Sequence, residues 1–145
     1  MNASEIQAIE LACMRLVNQF AVYSDQARYD ELAALFTSDG RYARPTDPAN
    51  VIEGHAKLLA SFRARPQDKL TRHLVTNVLI DVTSPTTAKG LSYVTQYAGS
   101  TDKPAATFGW QANAAQLVGE YSDEYVLTPA GWKIRQRSGI LIFTT

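Results

Sequence analysis

The chain has 145 residues, with 14 Lys plus Arg against 14 Asp plus Glu, so its formal net charge is zero. That length specifies one domain, residues 1–145, with a sizeable core, and the charge balance argues against nucleic acid or an anionic membrane as a partner. A single cysteine, Cys13, excludes an internal disulfide. No apolar run approaches the ~20 residues of a membrane span, and Glu5 and Glu10 interrupt any signal-peptide pattern, so a reducing, cytoplasmic setting is expected.

Ser4, with Gln7 three residues later, predicts a capping box and a helix start. Apolar Ile6, Ile9, Cys13, Leu16, Val17, Phe20 and Ala21 then recur at helical spacing, in a helix running to about Ala27. A short second helix spans Tyr29 to Phe36. Asp39-Gly40 is a turn, and Arg41 to Arg44 reads as a short strand. Pro45 to Pro48 is a loop, and Val51-Ile52 a brief strand. Gly54 to Arg65 reads as a third helix, ended near Pro66.

After Pro66 the composition turns β-branched. Four long strands are expected at Thr71–Val82, Ala88–Ala98, Leu117–Thr128 and Trp132–Thr144. Ser84-Pro85-Thr86 and Pro129-Ala130-Gly131 are the turns, and Pro104 to Trp110 keeps some strand character. Helices first and an antiparallel meander afterwards make an α+β domain.

Asp25 is the residue that asks for an explanation. The apolar stripe of the first helix, continued one turn from Ala21, lands on it. A carboxylate facing inward is costly unless it is paired, and an acid near a helix C-terminus sits at the unfavourable end of the dipole. His73, one of two histidines, is the partner expected, on the first long strand. Alternation groups His73 with Val75, Asn77, Leu79 and Asp81, and puts Arg72, Leu74, Thr76, Val78 and Ile80 on the other face. Outward Leu74, Val78 and Ile80 would leave an apolar patch that predicts a homodimer or homotrimer.

Seven tyrosines supply phenol donors. Tyr42 and Arg44 share a face of their strand, as do Tyr121, Asp123 and Tyr125 of theirs. Alternation alone does not say which face of the latter points inward. Tyr23, Tyr42, Arg44 and Tyr121 are the candidate substrate contacts. Tyr23 lies about 200° round the helix from Asp25, so it reaches the same space only if the helix has unwound there. His55 follows Gly54 at a helix start and reads as solvent-facing. Arg135 and Arg137 alternate against Trp132, Ile134 and Gln136 as an exposed charged face. No metal-ligand spacing, Gly-rich phosphate loop or G-x-S-x-G elbow occurs, so neither metal nor cofactor is expected.

Three groups of residues carry a family resemblance. They are Tyr23-Ser24-Asp25 leading into Tyr29 to Leu32; Gly54-His55 with Thr71-Arg72-His73; and Gly119 to Tyr125 followed by Gly131-Trp132-Lys133-Ile134 and Arg137. In this order the chain resembles the SnoaL-like branch of the nuclear-transport-factor-2-like superfamily, over nearly its whole length. The resemblance implies a cone: a curved antiparallel sheet wrapped around the long first helix, with a pocket inside. Relatives include scytalone dehydratase, hexachlorocyclohexane dehydrochlorinase and ketosteroid isomerase. In the dehydratase and dehydrochlorinase relatives an Asp ending the first helix pairs with a His on the first long strand, and Asp25 and His73 match those positions. The lysine of the dehydrochlorinase's first helix has no counterpart here. Neither has the second-strand histidine of scytalone dehydratase, where this chain reads Gly90-Leu91-Ser92-Tyr93.

The resulting expectation is a cofactor-independent lyase or isomerase. Asp25 and His73 would abstract a proton from a cyclic, largely apolar organic molecule. A ligand-binding or assembly domain, and an accessory subunit of a ring-hydroxylating oxygenase, are the alternatives that the same fold allows.

Overall fold

The computed structural model describes residues 1–145. Its elements, in chain order, are α1 (Ala3–Asp25), α2 (Tyr29–Ala33), β1 (Phe36–Arg44), β2 (Asp47–Glu53), α3 (His55–Arg63), β3 (Lys69–Ser84), β4 (Thr87–Ser100), β5 (Leu117–Thr128) and β6 (Gly131–Thr144). One six-stranded curved sheet, ordered β2-β1-β6-β5-β4-β3, wraps around α1. Four of its five pairings are antiparallel; β1 and β6 run parallel, so the sheet is mixed. That parallel pair is a correction to the all-antiparallel expectation. It follows from β1, formed beside the helices, closing onto the last strand of the meander.

The capping box lies at Asn2 and Glu5 rather than at Ser4 and Gln7. Asn2 Oδ1 accepts from the Glu5 amide at 2.9 Å, and the Asn2 amide donates to Glu5 Oε2 at 2.8 Å. Asn caps a helix as well as Ser does, and Glu at the third helical position completes the box. α1 then presents Ile9, Cys13, Leu16, Val17, Phe20 and Ala21 as its buried face. Phe20 is the hub of the core. Its ring meets those of Phe36, Tyr42, Phe62 and Tyr121 at centroid distances of 5.3–6.5 Å, all edge-on. Such pairs add ~0.5–1.5 kcal/mol each beyond the area they bury.

Two β-bulges overturn the face assignments made by strict alternation. In β3 the pairs Thr76↔Tyr93 and Leu79↔Leu91 leave Asn77 and Val78 opposite Ser92 alone, and Asn77 takes φ 54°. The extra residue reverses the phase of the strand. His73 and Val75 face inward before it; Val78, Ile80 and Val82 pack on the core after it, leaving Leu74 and Leu79 outside. In β6, Ile134 and Gln136 oppose the consecutive residues Tyr125 and Glu124, so Arg135 is the extra residue. Arg135 is exposed as expected, but Arg137 is turned inward and fully buried, a correction to the charged face expected for both. Residues 104–110 carry no strand, contrary to the expectation. No helix of the chain is long and apolar enough to cross a membrane.

Candidate active site

α1 ends at Asp25 because the chain turns there: Gln26 is the C-cap and Ala27 takes φ 55°. Arg65, just after α3, clamps this end, donating to the Ser24 carbonyl at 2.7 Å. That supplies positive charge and a donor where helix carbonyls lack partners. The helix thus holds the Asp25 carboxylate against the start of β3, where three donors reach it. Thr71 Oγ1 donates to Oδ1 at 2.9 Å, the His73 amide donates to Oδ2 at 3.0 Å, and His73 Nδ1 lies 2.5 Å from Oδ1. Burial pushes the Asp25 carboxyl up, but the hydrogen bonds from His73 and Thr71 outweigh it and hold the carboxyl below its ordinary value. An ionised Asp25 accepts, so the Nδ1 of a neutral His73 carries the proton and its Nε2 is left with a free lone pair.

That Nε2 faces a cavity of about 470 Å³. Phe20, Leu32, Phe62, Val94, Leu117 and Leu141 are among its apolar lining, and Tyr42, Tyr121, Arg44 and Gln96 among its polar lining. Gln96 was not singled out in the sequence. Its amide nitrogen lies 3.1 Å from His73 Nε2, because β3 and β4 pair His73 with Gln96. Counting back from the turn pair Ser84↔Thr87 would have placed Ala98 opposite His73; the bulges at Asn77 and Thr83 shift the register by two.

Of the candidate substrate contacts, Tyr42, Arg44 and Tyr121 line the cavity, and Tyr23 does not. α1 stays helical through Asp25, so Tyr23 is turned away. Its hydroxyl accepts from Gln19 at 3.2 Å and the Arg28 guanidinium stacks on its ring at 4.4 Å. Burial raises the phenols of both Tyr42 and Tyr121, so each stays a protonated donor at neutral pH. Arg44 is held by the Ser61 hydroxyl at 2.7 Å. His55 is exposed at the start of α3, and no group of three His, Cys, Asp or Glu is arranged to hold a metal ion.

The inward face of β5 is the one carrying Gly119, Tyr121, Asp123 and Tyr125. Beyond Tyr121 it forms a second polar cluster, sealed in the core. Arg137 grips Asp123 through two hydrogen bonds of 2.8 and 2.7 Å, Tyr125 donates to the same carboxylate at 2.6 Å, and the guanidinium lies 4.1 Å from the Tyr121 ring centroid. Tyr125 fits because Gly90 on β4 has no Cβ; one there would stand 2.8 Å from the tyrosine ring. The cluster supports the cavity wall from behind and does not line it.

This architecture is shared with solved structures of low sequence identity. A protein provisionally assigned as a scytalone dehydratase, from Novosphingobium aromaticivorans, matches with a TM-score of 0.84 at 23% identity, covering 99% of this chain and 91% of that one. Type 3 hexachlorocyclohexane dehydrochlorinase from Novosphingobium barchaimii matches with a TM-score of 0.80 at 17% identity, covering 99% and 93%. A protein of unknown function from Mycobacterium tuberculosis matches with a TM-score of 0.76 at 24% identity, covering 97% and 76%. No curated protein matches the chain. The sequence itself matches the SnoaL-like domain over residues 7–138, nearly its whole length. With a long helix ending in an acid, a cone of strands around it and a cavity between them, the chain belongs to the SnoaL-like domain family.

Proposed function

We propose that the protein is a cofactor-independent lyase or isomerase acting on a cyclic small molecule, with elimination of water or another leaving group as the favoured reaction and isomerisation as the other. One observation carries this reading: His73 lines a half-open cavity of mixed apolar and polar lining while Asp25 is hydrogen-bonded to its Nδ1 from behind. In this reading His73 takes a proton from a substrate carbon. Asp25 fixes the tautomer and stabilises the imidazolium as it forms, which is the general role of an acid in a His–Asp pair. Tyr42, Tyr121 or Arg44 donates to the oxygen or leaving group on which negative charge develops. For His73 Nε2 to take the proton, substrate must displace the Gln96 amide from it. A purely binding domain does not require a basic nitrogen aimed into the cavity, whereas this reaction does.

The test is a panel of cyclic hydroxy-ketones, enones and halogenated rings, assayed for loss of water or halide and for double-bond migration. His73→Ala should lower turnover by ~10²–10⁴-fold, the usual contribution of a general base. Turnover surviving that change within a few-fold would mean that the pair is structural.

A further inference from the structure

The cavity wall carries Arg44, Arg65 and Lys69, and neither Asp nor Glu lines it. None of the four ion pairs of the chain involves these three cations: they are Arg28–Glu31, Arg63–Asp30, His73–Asp25, at the cavity beside them, and Arg137–Asp123. The two cavity arginines are held by neutral acceptors only. Arg44 donates to the Ser61 hydroxyl at 2.7 Å and to its carbonyl at 3.3 Å. Arg65 donates to the carbonyls of Ser24 and Lys69 at 2.7 and 3.2 Å, and to Thr71 Oγ1 at 2.9 Å. These bonds fix where the guanidinium groups sit without neutralising them.

The three charges sense one another. Burial, and after it the charges of Arg65 and Arg44, hold the Lys69 ammonium below its ordinary value. Like charges gathered at a cavity with low-dielectric walls raise the local concentration of anions. The cluster also adjoins the dyad, since Arg65 reaches Asp25 through the single hydroxyl of Thr71.

We propose that the substrate of this cavity is an organic acid: a ring bearing a carboxylate, which Arg44, Arg65 and Lys69 receive at the cavity wall while the ring fills the space against Phe20, Phe62 and Leu117. A planar carboxylate suits the guanidinium fork, and a volume of about 470 Å³ accommodates two fused rings. The inference rests on the reading of this cavity as the substrate site, and it narrows that site's substrate from cyclic molecules in general to acids.

The test is calorimetric titration of 1-naphthoate and of its neutral isostere 1-naphthamide into the wild type, His73→Ala, Lys69→Met and Arg44→Met. Lys69→Met removes a charge whose ammonium holds no other side chain, so the fold is not at stake. The acid should bind about 10-fold or more tightly than the amide at low salt, and 0.5 M NaCl should erode most of that advantage, as screening requires. Lys69→Met and Arg44→Met should each shrink it at least about threefold, and His73→Ala should keep it. An amide that binds as well as the acid, an acid that fails to bind at millimolar concentration, or an advantage untouched in both cation variants overturns the proposal. Because the measurement needs no turnover, its failure is separable from that of the catalytic reading. An acid preference in a protein inert toward the whole substrate panel would retire the chemistry and leave the anion site standing.

Discussion

Three donors converge on the Asp25 carboxylate, and the net effect is a carboxyl held below its ordinary value. The linkage to stability follows from the sign of that shift. A carboxyl whose folded value lies below its unfolded value adds stability that is fully present above the unfolded value near 4 and is lost as pH falls through the folded one. Wild-type protein should therefore show a steeper loss of melting temperature between about pH 4 and pH 2 than Asp25→Asn. Parallel melting curves for the two proteins across that range would contradict it. Cys13 stands at the other extreme of the same physics. Burial, and then the nearby Asp123 charge, push its thiol up to about 12, so it is a core hydrophobe and not a nucleophile. The inward placement of Asp25 was legible in the sequence, because helical periodicity needs only spacing. The Gln96 contact was not, because it depends on a register that two bulges reset.

At the scale of elements, the strands account for both the largest success and the largest error of sequence reading. The four long strands stand where β-branched composition put them, and helix-first order gave the α+β class. Which face of each strand points inward could not be carried past a bulge, since one inserted residue exchanges the faces. Arg137 is the consequence: read as surface, it is buried with Asp123 and Tyr125. Its Nη1 has no hydrogen-bond partner, so the cluster is not fully satisfied. Burial alone would lower the Arg137 guanidinium, but Asp123 more than offsets this and raises it. Removing one member leaves the other charged in the core, which typically costs ~3–5 kcal/mol, whereas replacing both by apolar groups of similar volume is often close to neutral. Arg137→Met should therefore lower unfolding free energy by about 3–5 kcal/mol in urea titration, and Arg137→Met with Asp123→Leu by clearly less. A double variant less stable than either single one would contradict this account of the pair.

At the scale of the molecule, the sheet has a concave face closed by α1 and a convex face left bare. On the convex face Leu74, Leu79, Tyr93, Ile140 and Phe143 are each more than two-fifths exposed. Leu74 and Phe143 lie in one cross-strand row with Thr95 and Val118. An apolar area of this kind is normally covered, so light scattering at micromolar concentration should give the mass of a homodimer or homotrimer. A monomer mass would refute that. The exposed set differs from the one strand alternation suggested, since Val78 and Ile80 belong to the core, and the expectation of a self-associating outer face now rests on Leu74 with Leu79, Tyr93, Ile140 and Phe143. The concave face carries the proposed site, and there α1, the segment just after α3, β3 and β4 all contribute to one constellation around His73.

The central claim is that Asp25 and His73 act as one unit in a proton transfer. With any substrate from the panel in hand, turnover should be measured for His73→Ala, Asp25→Asn and the double variant, with the fold of each checked by its melting curve. Groups that serve a single step are strongly non-additive. The account predicts a double variant little worse than the worse single one, with the loss on the order of 10²–10⁴-fold. Losses that multiply, so that the double variant falls by the product of the two single effects, would show that the residues act independently and would contradict it.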